Sequence, residues 1–127
     1  MFMKLGLNLK SNHANGVAAE NLACEHLRQL GYSISHIRYK CKHGEIDIIA
    51  EKPNLLIFVE VKHRKNFGED DPISLNQKKR IINTALHYLS IHPEKNELDM
   101  RFDSIMIAPS KIDTNKLSHI EDAWRIE

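Results

Sequence analysis

Asp47, Glu60 and Lys62 are residues of the right kind and spacing to act together on a phosphate. They lie in the stretch GEIDIIAEKPNLLIFVEVK, residues 44–62, where two runs rich in β-branched residues flank Lys52-Pro53-Asn54. Ile, Val and Phe suit a pleated, half-buried surface, whereas Pro and Asn suit a turn. The stretch is therefore expected to be a β-hairpin. If it is symmetric about the Pro53–Asn54 bond, Ile46 faces Val61, Ile48 faces Val59 and Ala50 faces Ile57, all on one face because side chains alternate. The other face then pairs Ile49 with Phe58, Asp47 with Glu60 and Glu45 with Lys62. A slip of one residue would mix the two faces.

Asp47 opposite Glu60 is an anomaly. Like charges facing across a sheet are destabilising, and two close acids resist joint ionisation. A divalent cation would offset both costs. Mg²⁺ is typically held by one or two carboxylates together with waters and substrate phosphate. Lys62 points the same way as Glu60, so its ammonium could polarise a phosphate or activate the attacking water. The competing reading is a solvated acidic edge, the ordinary place for charged residues. Ile49 and Phe58 on the same face argue that it is partly covered.

The elements that must position these groups can be read in order. Residues 1–13 form a mixed, polar-leaning arm, and residues 14–127 one domain. A helix is expected over 15–29 or 15–30, with Val17, Ala18, Leu22, Cys24, Leu27 and Leu30 at helical spacing, Asn15 as N-cap and Gly31 just past the end. Glu20 lies in its second turn, either as a surface acid or as a third acid for the cation. Residues 32–39 read as a first strand. Arg38, Lys40, Lys42 and His43 then form a basic run, either a solvated loop or a contact for a nucleic-acid backbone. Cys41-x-His43 lacks the paired spacings of a closed zinc site. Residues 63–71 read as a loop long enough to move over the site, and carry Arg64 and Lys65.

A second helix is expected over 73–91, with Ile73, Ile81, Ala85, Tyr88 and Leu89 in an apolar stripe that Ile82 and Leu86 widen. Gln77, Lys78, Lys79 and Arg80 occupy its early turns. His92-Pro93 ends it. Residues 101–108 read as a buried strand in which Asp103 is structural. Residues 117–124 close the chain, with Ile120 and Trp124 packing on the sheet. The helical crossover makes the last strand parallel to the third, so the class is α/β: a mixed sheet flanked by helices.

Composition excludes little. The 127 residues suit one core, and a net charge of +1 leaves room for a local basic patch. Two cysteines, Cys24 and Cys41, give no disulfide framework. The start has no signal-peptide pattern, and no segment approaches the ~20 apolar residues of a membrane span. A cytoplasmic protein with no membrane partner is expected.

Asp47 followed, after twelve residues, by Glu60-Val61-Lys62 resembles the PD-(D/E)xK motif of restriction-endonuclease-like nucleases. Its surroundings are more specific: Gly16-x-x-x-Glu20-x-x-Ala23, Gly31-Tyr32, Gly44-Glu45-Ile46-Asp47, Phe58-Val59-Glu60-Val61-Lys62-x-Arg64, Arg101-Phe102-Asp103 and Ala123-Trp124. In that order they resemble the bacterial YraN family, also called UPF0102, whose members are similar to Holliday-junction resolvases. The likeness spans residues 14–125. It implies a restriction-endonuclease-like αβββαβ core, with Glu20 supplied from the first helix and a Gln or Lys on the second helix that helps position water or phosphate. The family order there is Lys-Gln, whereas this chain reads Gln77-Lys78, which leaves open which of the two points at the site.

The mechanism expected is hydrolysis of phosphodiester bonds in DNA, of branched or otherwise unusual shape by analogy. Mg²⁺, or Mn²⁺, would be held by Asp47, Glu60, the Val61 carbonyl and Glu20. Lys62 would assist the water, with Gln77 beside it. Arg38, Lys40, Lys42, Arg64, Lys65, Lys78 and Lys79 would contact the backbone. The resemblance also suggests a homodimer, although no pattern in the chain marks an interface. The alternative is a module on the same fold that binds nucleic acid or a protein without cutting.

Overall fold

The computed structural model describes residues 12–63, 73–109 and 115–126, without the side chains of 12–15, 109 and 115. Helix α1 (Asn12–Gln29) leads into strands β1 (Ser33–Cys41), β2 (Gly44–Lys52) and β3 (Leu55–His63). Helix α2 (Leu75–Ile91) crosses to β4 (Asp99–Pro109), and β5 (Asn115–Trp124) ends the fold. The five described strands lie in chain order in one sheet, parallel between β3 and β4 and antiparallel elsewhere. This is the expected α/β architecture with αβββαβ order, extended by a fifth strand. The expected arm lies outside the described residues up to residue 11.

The hairpin register follows the side-chain pattern for five pairs. Ile48 pairs with Val59, Ile49 with Phe58 and Ala50 with Ile57, and the ladder runs on to Lys52 and Leu55 around Pro53–Asn54. The two faces feed two cores. Ile48, Ala50, Ile57 and Val59 pack under α1 with Ala19, Ala23, Cys24 and Leu27. Ile49, Leu56 and Phe58 pack under α2 with Ile81, Ala85, Tyr88 and Leu89. Fully burying a side chain of this size contributes roughly 1.5–3 kcal/mol, so each layer is held by several such terms.

Five expectations need correction. Ile46 joins the α2 core instead of the α1 core that holds Ile48. The change of face falls opposite Arg38, which lies on β1 between the Ile37–Ile48 and Tyr39–Ile46 pairs and has φ 56; a left-handed residue within a strand re-aims the side chains beyond it on that strand. Helix α1 starts at Asn12, so Asn15 is inside it and is no N-cap. Its buried face is carried by Ala19 and Ala23, while Leu30 is exposed, because small side chains let the helix sit close on the sheet. In the closing strand Ile120 is exposed where packing was expected, and so is Leu86 on α2, while Trp124 is buried and stacks on Phe102 at 5.5 Å.

The helix ends follow local rules. Gly31, at φ 97, supplies the left-handed turn after α1, and the Tyr32 N–H reaches back to the Leu27 carbonyl at 3.0 Å. Ser74, not Ile73, opens α2, its hydroxyl accepting from the Gln77 N–H at 3.1 Å. His92 closes α2 ahead of Pro93.

Asp103 is wholly buried and structural, as read from the sequence. It accepts from Arg101 at 2.7 and 2.8 Å, from His119 at 2.8 Å and from the Asp122 N–H at 3.0 Å. Burial works to raise its pKa, but these donors outweigh burial and hold it down to about 2. Arg101 extends the network to the Tyr32 hydroxyl at 2.9 Å, tying β4 to the end of α1.

A carboxylate depressed below its unfolded value of 3.8 stabilises the fold above that pH and loses the effect as pH falls toward 2. Asp103→Asn is expected to cost about 3 kcal/mol at pH 7, the scale for breaking a buried pair. Urea unfolding should show the gap from wild type narrowing between pH 4 and pH 2.

Candidate active site

β2 and β3 part company beyond the Ile48–Val59 pair. From there β2 keeps only its outer partner β1, through Ile46–Tyr39 and Glu45–Lys40, and β3 keeps only β4, through Glu60–Ser104, Val61–Ile105 and Lys62–Met106. The expected cross-strand pairs of Ile46 with Val61, Asp47 with Glu60 and Glu45 with Lys62 are therefore absent as ladder pairs. The reason is a side chain. Asp47 Oδ2 accepts the Val61 N–H at 2.7 Å, which takes the donor a continuing ladder would use. The sheet forks here, and the acids lie in the fork.

The two carboxyls share a hydrogen bond. Glu60 is only 9% exposed, and burial, then the neighbouring Asp47, pushes its pKa up to about 9. Burial also raises Asp47, against the hydrogen bonds from Glu60 and the Val61 amide. Both shifts favour a proton kept between the two groups over a pair of bare carboxylates. This donor set suits a hard divalent cation, which would take the proton's place and relieve both groups.

Glu20 approaches from α1 but faces another partner. Its Oε1 accepts from Arg38 Nε at 2.7 Å. Its pKa is raised by burial, with Arg38 opposing and Asp47 adding to the rise, so Glu20 is within electrostatic reach of the pair. Among the described residues no three His, Cys, Asp or Glu side chains form a ready-made metal cluster. Glu20 is thus not drawn into a three-acid set, and Cys41 and His43 have no set to join. Two carboxylates leave room for the Val61 carbonyl, waters and a phosphate, the usual complement for Mg²⁺.

Lys62 Nζ donates to Gln77 Oε1 at 3.4 Å. The first turn of α2, fixed by the Ser74 cap, delivers Gln77 there, so Gln77 and not Lys78 reaches the fork. Gly44 permits this approach: it has φ 150, and a Cβ there would lie 3.3 Å from Thr84 Oγ1 and 3.4 Å from Arg80 Cβ.

The other basic candidates are spread out. Lys40 is exposed, with Nζ 3.5 Å from Glu45; Lys42 is exposed on the β1–β2 turn, and on α2 Lys79 is exposed and Lys78 half-buried. Arg64, Lys65 and the loop expected to move over the site lie outside the described residues. The role of Arg38 as the partner of Glu20, and its left-handed backbone, had no signature in the sequence, because nothing in the local pattern asks for φ > 0 at an arginine.

A family model described as "Uncharacterised protein family UPF0102" matches residues 19–107. A UPF0102 protein of Bradyrhizobium diazoefficiens is 42% identical over 81% of this chain and 78% of its own length. One from Sulfurihydrogenibium is 39% identical over 85% of this chain and 91% of the relative. One from Azorhizobium caulinodans is 36% identical over 91% and 86%, respectively.

The shared proton has a measurable consequence. The folded pKa of Glu60 stands above its unfolded value of 4.5, so its favourable contribution is complete below that pH and lost as pH rises toward 9. In EDTA, Glu60→Gln keeps a donor for Asp47 but cannot ionise. Its melting temperature should exceed that of wild type at pH 8–9 and converge with it near pH 5; a constant offset at all pH values would contradict the shared proton.

Proposed function

This chain belongs to the UPF0102 family, and we propose that it hydrolyses phosphodiester bonds in nucleic acid, with a divalent cation seated on Asp47 and Glu60. One observation carries the reading. Two carboxyls lie in a fork of the sheet, Glu60 buried and Asp47 taking the Val61 N–H at 2.7 Å, with Lys62 two residues from Glu60 on the same strand. A stable fold has no use for a desolvated acid pair left unneutralised, so the pair is costly unless something binds it.

The donor chemistry favours Mg²⁺, or Mn²⁺, with the Val61 carbonyl as a third protein ligand and Glu20 as a further acid if Arg38 releases it. When bound, the cation supplies a lowered water pKa and neutralises charge at the phosphate. The chain's own groups do the rest. Lys62, steered by Gln77, orients the attacking water or bears on the phosphate oxygens as charge builds there. The first turn of α2 turns its positive dipole end toward the same fork, which favours an anion. Lys42 and Lys79 are exposed and able to meet a backbone without reading bases. DNA is the substrate suggested by the likeness to resolvases.

The test is a panel of labelled DNAs and RNAs, linear and branched, with Mg²⁺, Mn²⁺ or EDTA. Cleavage is expected with metal only, and both Asp47→Asn and Lys62→Ala should lower the rate on the order of 10²-fold or more. Binding without cleavage, unchanged in EDTA and in both variants, would leave a binding module and end the catalytic reading.

A further inference from the structure

Five rings follow one another along the outer edge of the sheet, each near the next. His43, on the turn between β1 and β2, has its ring 6.5 Å from that of His87 on α2. His87 is 6.0 Å from Tyr39, and its Nδ1 and the Tyr39 hydroxyl are hydrogen-bonded at 2.7 Å. Tyr39 is 5.6 Å from His36, and His36 is 6.3 Å from His92 at the end of α2. Buried Tyr88 backs the line, touching His36, Tyr39 and His92. The line meets α2 at His87 and His92, about 7 Å apart along the helix, and ends at His43, the residue before Gly44 of β2.

The alignment is built at a cost. His36 and Tyr39 are three residues apart on one strand, a spacing that puts side chains on opposite faces. The left-handed backbone at Arg38 brings both rings to the α2 side. A bulky residue with φ > 0 costs roughly 1–2 kcal/mol, and such strain gathers at functional sites. Tyr39 packs against the α2 core, whereas His36 and His43 do not belong to it. β1 is an edge strand, His36 and His43 are exposed, and Tyr39, His87 and His92 are half-buried. Lys40 follows Tyr39 on β1, Lys42 precedes His43 on the turn, and Arg80 lies against Gly44.

We infer that this line is a stacking track for single-stranded nucleic acid, on the strand that pairs with the one carrying Asp47. For its direction the inference rests on the phosphodiester reading, which it narrows: the bond to be cut adjoins a single strand. Bases in a continuous duplex stack on each other and offer no face to a protein ring, whereas unpaired bases stack on aromatic and imidazole rings. Stacking tolerates any base, and the neighbouring cations track the phosphates.

Binding measured in EDTA isolates the track from cleavage. A labelled oligo-dA strand and a blunt duplex of equal length are titrated by fluorescence anisotropy. Wild type should prefer the single strand. The His36→Ala/His43→Ala pair should weaken single-strand binding about tenfold or more and leave the duplex unchanged. His36→Phe/His43→Phe, which keeps the rings and discards the imidazole, should retain single-strand affinity, with thermal melting used to confirm folding in both. Unchanged binding in the alanine pair, equal loss in the phenylalanine pair, or no preference for the single strand would overturn the track. A separate Mg²⁺ assay keeps the two readings apart. Ring-dependent binding without cleavage upholds the track and ends the phosphodiester reading. Cleavage of continuous duplex that is indifferent to the ring variants does the reverse.

Discussion

Two carboxyls on neighbouring strands share a single hydrogen bond in a cleft from which burial has removed most of the water. In bulk water both would ionise and drift apart. Here burial and mutual repulsion lift Glu60 to a pKa of about 9. Asp47 also draws off the Val61 amide, so the β2–β3 ladder cannot run past the pair. Everything around the fork serves to hold it open without unravelling the sheet. β2 is kept by β1 on its outer side, and β3 is kept by β4 along its whole length. The Asp103 network then anchors β4 to β5 and, through Arg101 and Tyr32, to the end of α1.

Arg38 links the fork to the rest of that edge. It sits across β1 from Asp47, and its guanidinium holds Glu20 at 2.7 Å. Beyond its left-handed backbone, Tyr39 and its β2 partner Ile46 both lie toward α2. One strained residue thus sets the position of a nearby acid, brings Tyr39 to the second core and aligns the edge rings. Its ion pair is part-exposed and, by the usual scale for such pairs, offsets the strain only in part. The packing of Ile46 and Tyr39 in the α2 core supplies the remainder.

The sequence was most legible where one physical rule dominated. The Pro53–Asn54 turn and strict alternation specified the hairpin register, and three of the six named pairs form in it, because a slip would have put apolar residues in water. The stripe on α2 was legible because it is long and one-sided, though Leu86 falls outside it. The buried face of α1 was hard to see, because alanines carry little hydrophobic signal and only the close approach of the helix makes Ala19 and Ala23 the contact. β5 was hard to see because NKLSHIEDAW has few apolar residues; its order comes from pairing with β4 and from the bonds of His119 and Asp122 to Asp103.

From the sequence alone came the class of fold, the hairpin and the three residue types that could serve a cation and a phosphate, since propensity, alternation and residue chemistry are local properties. Tertiary structure decided that the acids meet in a fork instead of across a ladder, that Gln77 reaches Lys62 in preference to Lys78, that Glu20 is held by Arg38, and that five rings share one edge. Each of these depends on how distant segments approach or on a single backbone angle, and neither is written in the order of neighbouring side chains.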